Sequence, residues 1–484
     1  MKTNFWKLTV NGSVLPVLTG KTDADVAIVG AGITGLTAAY QLTQAGKKVV
    51  IIEAKSLGES ASANSSAHLT TAIDYHYSRI FTKHGKDAAI AVAGSRMGAI
   101  SFIEEMSKQF PCDFKCVSGY LYSETGGDII EDEFWHATEA GLNVSLTDTL
   151  HLPFYVKKAV EFSNQAIFNP YKYLSAIAQF LLDSELCEIY ENSRVIDSRN
   201  NELFTTEGSV VADQVIYATH YPVFFNIHQT LAYPYRSYML AAIAEEDIGD
   251  SLYWDTAEPY HYTRTYSFKD QKYLLVGGAD HKTGHTEEDC YIHLENYLLE
   301  RYSIDSISSR WSSQFYEPAD GLPYIGKSYS ENEYIGTGYS GDGLVYGTIA
   351  GILLSNDILG IKNQIPGDIY NSRRIDLIGS AEKFISENIE VAADMVRDRL
   401  KPKKAHSADN LNIGEGIIIS KDGKNLAVSR AEDGNIVEAS AVCPHMKCLV
   451  RWNHLEKTWD CPCHGSRFGP SGEVITGPAV SRLK

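Results

Sequence analysis

The sequence predicts a large α/β domain followed by a small all-β domain at the C-terminal end of the chain. Residues 25–53 read as a strand, a glycine-rich turn, a helix and a second strand, which is typical of a parallel α/β sheet. After residue 406 the apolar runs are short and are joined by turn residues such as Asp422-Gly423, a hairpin signal. A chain of 484 residues is too long for one hydrophobic core, so two or three domains are expected.

The first of these segments has the pattern of a dinucleotide-binding unit. The strand Asp25–Val29 leads into Gly30-Ala31-Gly32-Ile33-Thr34-Gly35, and the second strand ends at Glu53. In such a unit the first glycine permits a tight turn, the second lets the backbone approach a pyrophosphate, and the third lets the helix pack on the sheet. The helix N-terminus faces the phosphates, and the acidic residue accepts hydrogen bonds from a ribose. Gly30, Gly32, Gly35 and Glu53 are therefore predicted to bind a dinucleotide.

A second motif lies near the C-terminus, where cysteine and histidine occur together twice. Cys443-Pro444-His445 is followed further on by Cys461-Pro462-Cys463-His464. Two cysteines on one iron and two histidines on the other form the ligand set of a Rieske [2Fe-2S] cluster. Zinc also binds two cysteines and two histidines, but zinc fingers place the cysteines in one loop and the histidines on a helix. The mixed halves favour the cluster, with Cys443, His445, Cys461 and His464 as its ligands.

The stretch from Cys443 to Phe468 resembles the Rieske family, in particular the Rieske proteins of respiratory and photosynthetic chains. Those proteins tie their two cluster loops with a disulfide, so the resemblance implies a bond between Cys448 and Cys463. The alternative is two buried free thiols. The remaining cysteines show no metal spacing and are expected to be reduced: Cys112, Cys116, Cys187 and Cys290.

An ordered set of motifs over about residues 24–360 resembles the FAD-dependent glycine/D-amino-acid oxidase superfamily, the DAO family. Besides the glycine-rich unit, the set contains an apolar strand at 211–219 and glycine-rich segments at 320–326 and 336–343. The resemblance implies that the dinucleotide is FAD. It further implies the following roles: Ser65, Ser66 and His68 line the flavin ring, Val195 touches the adenine side, and Gly341, Asp342 and Gly343 begin a helix aimed at the flavin pyrimidine.

Together these resemblances imply an α/β Rossmann-like FAD-binding domain with an inserted α+β substrate domain, followed by a small all-β Rieske domain. The oxidoreductase is expected over residues 1–365. Its FAD part would take about residues 1–85, 155–230 and 318–362, and its substrate part about 86–154 and 231–317. A helical connector and linker is expected at 366–405, with helical apolar spacing over 380–400, and the Rieske domain at 406–484.

The residues that would bind a substrate are harder to find. No nucleophile–base pair stands out, and hydride transfer to a flavin does not need one, because the cofactor carries that chemistry. A substrate carboxylate would be bound by an arginine fork. Arg264, in an aromatic strand with Tyr260 and Tyr262, is the candidate, and a surface arginine is the alternative. A mononuclear iron site is a weaker alternative, built from His281, His285 and Glu287 or Glu288.

Charge and hydropathy exclude some partners. The net charge of −18 argues against nucleic acid, which needs a basic face. No apolar run reaches the ~18 residues of a membrane-spanning helix, and the N-terminus does not have the pattern of a signal peptide. With few cysteines for its length, the protein is expected to be cytoplasmic.

These observations predict an FAD-dependent oxidoreductase. It would oxidise a small amine or amino-acid-like substrate and pass electrons through the cluster to a one-electron acceptor. One alternative is a flavin oxidase that uses oxygen and has a structural or redox-sensing cluster. Another is an electron carrier without an organic substrate. A Rieske oxygenase is disfavoured because no clear facial-triad motif accompanies the cluster.

Overall fold

The structure is a computed structural model that describes residues 4–10, 12, 14–224, 227–285, 289–363, 369–374 and 411–484. Apart from residues 369–374, the predicted connector and linker at 366–405 lie outside these ranges, and so does the helix predicted at 380–400. Among the described residues, no helix is both long and apolar enough to cross a membrane.

The described residues include seven α-helices. They are α1 Ile33–Gln44, α2 Tyr77–His84, α3 Lys86–Gln109, α4 Asp128–Glu139, α5 Pro170–Leu182, α6 Cys290–Arg301 and α7 Gly343–Leu359. Short 3-10 turns occur at Phe5–Leu8, Leu57–Glu59, Ser62–Asn64 and Ile227–Thr230. Helix α5 begins where Asn169 accepts a hydrogen bond from the Lys172 N–H, and proline follows at the first helical position.

The first sheet has eight strands with parallel strands at its centre. In chain order they are β1 Gly20–Val29, β2 Val49–Ile52, β7 Cys187–Tyr190, β8 Asp197–Arg199, β9 Glu202–Phe204, β10 Gly208–Tyr217, β16 Tyr324–Lys327 and β17 Glu333–Thr337. Strand β1 pairs in parallel with β2 and β10. All four residues of β2 are buried, as expected of a strand covered on both faces, and α1 packs against α7 on one of them.

The second sheet has nine strands and is mostly antiparallel. The strands are β3 His68–Leu69, β4 Lys115–Ser123, β5 Val144–Thr147, β6 Lys158–Ile167, β11 Ala232–Ala244, β12 Leu252–Asp255, β13 His261–Phe268, β14 Gln271–Lys282 and β15 Ile304–Pro318. One predicted boundary needs correction, because residues 155–230 were assigned to the FAD part. Strand β6 pairs with β4 and β5 instead, so it belongs to the second sheet.

The C-terminal domain contains two small antiparallel sheets, as predicted for an all-β domain. Its strands are β18 Gly416–Lys421, β19 Lys424–Arg430, β20 Ile436–Ser440, β21 Arg451–Asn453, β22 Thr458–Asp460, β23 Arg467–Phe468 and β24 Val474–Thr476. The predicted hairpin at Asp422-Gly423 is confirmed, since it joins β18 to β19 with positive φ at both turn residues. Trp459 and Phe468 are fully buried at the centre of this domain.

Candidate functional site

The glycine-rich turn joins β1 to α1. Gly30 has a φ of 107°, and a Cβ there would lie 2.6 Å from the carbonyl oxygen of Ala218. A Cβ at Gly35 would lie 2.0 Å from the carbonyl oxygen of Gly30, so the helix approaches the turn this closely only with glycine. At Gly32, in contrast, Ser62 Oγ is the single neighbour within 4 Å of the Cβ position, at 3.2 Å. Gly32 faces open space that a bound pyrophosphate can occupy.

Glu53 follows β2 and lies beside this turn. Its Oε2 accepts a hydrogen bond from the N–H of Ala31 at 2.9 Å, and its Oε1 accepts one from the N–H of Lys55 at 2.9 Å. The carboxylate therefore braces the glycine-rich turn. Each oxygen keeps a lone pair that can accept from a hydroxyl, so the arrangement fits the predicted contact with a ribose.

A cavity of about 700 Å³ extends from this turn to the second sheet and to the C-terminal domain. It is lined by nearly every residue predicted to bind FAD: Gly30, Gly32, Glu53, Ser65, Ser66, His68, Val195, Gly341, Asp342 and Gly343. Gly35 lies beneath the turn instead, where it lets α1 pack. The structure thus brings together residues that are far apart in the chain, and their individual contacts with FAD remain predictions.

His68 lies at the centre of this cavity wall. Its ring centroid is 5.6 Å from that of Trp254 and 5.7 Å from that of Tyr262. Burial, with the nearby charge of Arg264, lowers the pKa of His68 to about 3, so the imidazole is neutral at physiological pH. Neither buried ring nitrogen has a hydrogen-bond partner of good geometry among the described residues. Buried polar atoms without hydrogen-bond partners are expected where a bound group completes the wall, and a flavin would do so here.

The N-terminus of α7 opens onto the same cavity. Asp342 precedes the helix, and its Oδ1 accepts a hydrogen bond from Arg96 Nη2 at 2.7 Å. Asp74 Oδ2 accepts one from the N–H of Gly341 at 2.9 Å. The first N–H groups of a helix have no partner inside the helix and carry the positive end of its dipole. This end can therefore stabilise negative charge on a group that is bound there.

The prediction for Arg264 is wrong in its geometry, because the side chain does not line the cavity. The guanidinium is fully buried. Its Nη1 donates to the carbonyl oxygens of Ala67 at 2.7 Å and Phe168 at 3.3 Å, and its Cζ lies 5.6 Å from the centroid of the Trp6 ring. Arg264 ties the segment before His68 to the end of β6, which is a structural role.

The two histidines of the alternative iron site make other contacts. His281 Nε2 lies 3.3 Å from the hydroxyl of Tyr238, and His285 lies 3.3 Å from the guanidinium of Arg451. The other two members of that site, Glu287 and Glu288, lie outside the described residues.

The four predicted cluster ligands meet in two adjacent loops of the C-terminal domain. The first loop lies between β20 and β21 and the second between β22 and β23. The rings of His445 and His464 are 5.1 Å apart at an angle of 89°. Cys443 and Cys461 are buried free cysteines. His464 Nδ1 is buried and has no partner of good geometry among the described residues, which fits a nitrogen left to bind metal, whereas the His445 ring also lies within reach of the Phe224 backbone.

The structure has the disulfide between Cys448 and Cys463 that the Rieske resemblance implies. It joins the two ligand loops beside the predicted cluster site. The sulfurs of Cys448, Cys461 and Cys463 lie within 4.8 Å of one another. Because two of these sulfurs are bonded together, they are not available to a metal, and the group does not compete with the predicted ligand set.

Several cavity residues were missed by the sequence analysis. Asp280, at the end of β14, lines the cavity beside Tyr260, and Arg236 lines it from β11. A signal for Asp280 was present, since Gly277-Gly278 inside a strand marks a bulge. The C-terminal domain also lines the cavity with Arg467 and with the segment 475–480. No local sequence pattern predicts such a contact between domains.

Comparison with known proteins now defines the class. Residues 25–356 match the family of FAD dependent oxidoreductases called DAO, and residues 402–484 match the Rieske [2Fe-2S] domain. YhfW of Bacillus subtilis (strain 168), a relative described as a Rieske 2Fe-2S iron-sulfur protein, is 31% identical over 495 residues, covering 99% of this chain and 96% of YhfW. The protein is an FAD-dependent oxidoreductase with a C-terminal Rieske domain. It belongs to the DAO family, and its cofactors are FAD and a [2Fe-2S] cluster.

Solved structures agree on the fold. Glycine oxidase from Geobacillus kaustophilus superimposes with a TM-score of 0.61 at 17% identity, covering 73% of this chain and 99% of that enzyme. The C-terminal domain is similar to the cytochrome b6-f complex iron-sulfur subunit 1 of Nostoc sp. (strain PCC 7120), at 48% identity over 75 residues, or 15% of this chain and 42% of that subunit. The predicted fold class and both predicted cofactors are therefore confirmed.

Proposed function

We propose that the protein oxidises a small amine or amino-acid-like substrate and passes the electrons through its own Rieske cluster to a one-electron acceptor. When bound, FAD supplies two-electron chemistry at a C–N bond, and the cluster supplies one-electron transfer. The observation that carries the proposal is the contact between the cluster loops and the wall of the FAD cavity.

The second ligand loop fits into a socket on the oxidoreductase domain. Gln314 Nε2 donates a hydrogen bond to the carbonyl oxygen of Gly465 at 3.0 Å. A Cβ at Gly465 would lie 2.5 Å from Gln314 Nε2 and 2.7 Å from the Cβ of Pro234. Gly465 directly follows the predicted ligand His464. A loop that fits this closely supports a docked cluster rather than one that is held away from the flavin.

Aromatic rings connect this socket to the cavity. Tyr221 and Tyr316 are stacked with centroids 4.1 Å apart, and both line the cavity. The ring of His220 lies 5.1 Å from that of Tyr316. Both tyrosines are within electrostatic reach of Cys461. These packed rings join the socket to the cavity wall, which supports electron transfer between the two centres.

Buried charges hold the two domains together. Glu456, between β21 and β22, accepts a hydrogen bond from the hydroxyl of Tyr291 at 3.0 Å. Its Oε2 lies 3.7 Å from Arg236 Nη2 and 3.9 Å from Arg467 Nη2. Arg236 is fully buried, and a buried cation without a partner is strongly destabilising. The network therefore favours one fixed position of the cluster domain over the cavity.

The experiment is anaerobic mixing of the oxidised holoprotein with glycine, sarcosine, benzylamine and putrescine, followed by flavin absorbance and electron paramagnetic resonance. We expect a reduced Rieske signal to grow as the flavin reoxidises after reduction by at least one of these amines. Cys461→Ser should keep flavin reduction and lose the signal. Tyr316→Leu should slow flavin reoxidation, whereas Tyr329→Leu, at an exposed position, should not.

If the flavin is reduced while the cluster stays oxidised over many turnovers, the relay is excluded. Hydrogen peroxide formation in air would then identify the oxidase alternative. If none of the amines reduces the flavin but an outside donor reduces the cluster and then the flavin, the protein is an electron carrier.

A further inference from the structure

A β-bulge at the end of β14 points one carboxylate into the cavity. The end of the cavity that is lined by the second sheet is called the substrate end below. Arg236 pairs with His281 and Tyr238 with Gly278, so Ala279 and Asp280 both lie opposite the single residue Ser237. Ala279 has a φ of 54°, which is unusual for a residue with a side chain. Bulges of this kind occur beside active sites, where they redirect a side chain. Here the redirected side chain is that of Asp280, which lines the cavity.

The surroundings of the Asp280 carboxyl group suit a bound cation. Its Oδ1 is buried and has no hydrogen-bond partner among the described residues. The hydroxyls of Ser237 and Tyr260 face the carboxyl group. Burial raises the pKa of Asp280 to about 7, and no positive side chain in the described part of the chain offsets that effect. A buried carboxylate that lacks a cation gains most from one supplied by a ligand.

The positive side chains of the cavity lie elsewhere. They are Lys55, Arg79, Arg194, Arg236 and Arg467. Lys55, Arg194 and Arg467 are close to one another near Glu53, at the predicted adenosine end. Arg236 faces Glu456, and Arg79 is exposed. The substrate end is therefore acidic, and it does not offer a substrate carboxylate a buried arginine fork.

Aromatic rings complete the pocket around Asp280. Tyr260 and Tyr262 lie with centroids 6.0 Å apart, and the hydroxyl of Tyr262 is 2.8 Å from Ser237 Oγ. Trp254 and His68 also line this part of the cavity, and the His68 ring lies 5.7 Å from that of Tyr262. Ring faces attract alkylammonium ions and reject carboxylates, and the attraction is strongest in sites that exclude water.

We propose that the substrate is an amine with no carboxylate beside its nitrogen, bound as an ammonium ion against Asp280 and beside the rings of Tyr260 and Tyr262. This rests on the proposed function, because it assumes that this cavity is where the substrate meets the flavin. Asp280 is a substrate-binding residue, and it selects amines over amino acids by charge.

Binding can be measured without turnover. The probe is tetramethylammonium, which cannot be oxidised to an imine, and the readout is the shift of the flavin absorbance in the oxidised holoprotein. We expect a saturable shift with tetramethylammonium and none with tert-butanol, a neutral molecule of similar size, or with sodium at equal ionic strength. Asp280→Asn should weaken binding at least tenfold. Glu258→Gln, which removes an exposed carboxylate at the cavity mouth, should change it less than twofold.

The pH dependence of tetramethylammonium binding gives a second test, which needs no variant. The titratable groups facing Asp280 are Asp74, Tyr260, Tyr262 and Glu317. Burial, with the neighbouring Asp342 carboxylate, raises the pKa of Asp74 well above its ordinary value, and burial also raises those of both tyrosines. Because Asp280 ionises as pH rises through about 7, the dissociation constant of tetramethylammonium should fall about tenfold between pH 6 and pH 8. An unchanged constant would overturn the proposal.

Two matched substrate pairs test the selectivity: benzylamine against phenylglycine, and cadaverine against lysine. We expect each amine to reduce the flavin at least tenfold faster than the amino acid that differs from it by the carboxylate. Faster reduction by the amino acids would exclude the ammonium site, and the relay would still stand if the cluster were then reduced. Reduction by the amines with an oxidised cluster would exclude the relay and leave the ammonium site intact. If neither pair reacts, the tetramethylammonium titration decides.

Discussion

The cluster centre takes its predicted ligands from one short stretch, Cys443–His464, whereas the FAD cavity is lined by residues from Val29 to Val480. The first site is made by two loops of one small domain and is closed by a disulfide. The second is made by two sheets and is completed by a neighbouring domain. A local site depends on the fold of its own domain, and a distributed site depends on how several units pack. Substitutions can therefore separate the two centres.

The largest expected effect is the loss of FAD alone. Among the described residues, Ser62 Oγ is the single neighbour within 4 Å of a Cβ at Gly32, but a side chain there would occupy the space predicted for the pyrophosphate. We expect Gly32→Val to fold, to keep the Rieske signal and to contain no flavin, as measured by absorbance and paramagnetic resonance. Gly94→Val, at an exposed helical position with open space around it, should keep its flavin. A yellow Gly32→Val protein would show that the phosphates bind elsewhere.

The next effect is confined to the cluster domain. Replacing both Cys448 and Cys463 by alanine removes the link between the ligand loops, and disulfide loss from a small domain costs about 2–5 kcal/mol. We expect the Rieske signal to disappear at a lower denaturant concentration while FAD release is little changed. Cys116→Ala, at an exposed free cysteine, serves as the control. In the wild-type protein, denatured without reductant, neither thiol should react with an alkylating agent; reaction of both would disprove the disulfide.

A smaller effect should separate the domains without removing either cofactor site. Glu456→Gln removes the negative charge that lies 3.7 Å from the buried Arg236 Nη2, and leaving a buried donor without its partner costs roughly 1–3 kcal/mol. We expect a lower denaturation midpoint and slower flavin reoxidation by the cluster. Glu438→Gln, at an exposed position on β20, should change neither. Equal midpoints for the two variants would mean that Glu456 does not hold the domains together.

The smallest effect is the acid dependence of the same contact. Burial raises the pKa of Glu456, but the charges of Arg236 and Arg467 outweigh it, and the net pKa lies below the ordinary value of 4.5. The stabilisation from this group is therefore complete above pH 4.5 and is lost as pH falls through the lower value in the folded protein. The difference in melting temperature between the wild type and Glu456→Gln should shrink below pH 4.5. A constant difference down to pH 3 would contradict the pairing.

The sequence was sufficient for features that depend on short spacing. The glycine-rich turn, the hairpin at Asp422-Gly423 and the paired Cys/His motifs follow from local geometry. Tyr260, Tyr262 and Arg264 occupy alternate positions in the sequence, but alternation does not say where along the strand the cavity ends. Ala67 covers that end, so Arg264 is buried against backbone.

The position of Asp280 in the cavity could not be predicted from the sequence for a related reason. Gly277-Gly278 indicates a bulge, but which side chain the bulge redirects is visible only when the partner strand is known. The contact of segment 475–480 with the cavity depends on docking between domains. Docking is set by the shapes and charges of two surfaces rather than by a motif.

The socket around Gly465 and the charges around Glu456 form an interface between two parts of one polypeptide. A chain that links two surfaces holds them at an effective concentration on the order of millimolar, compared with far lower concentrations for separate proteins. A contact too weak to hold two free proteins together can therefore stay formed nearly all the time. Fusion also fixes one cluster to each flavin, so in the proposed relay the supply of the first electron acceptor does not depend on how much of another protein the cell makes.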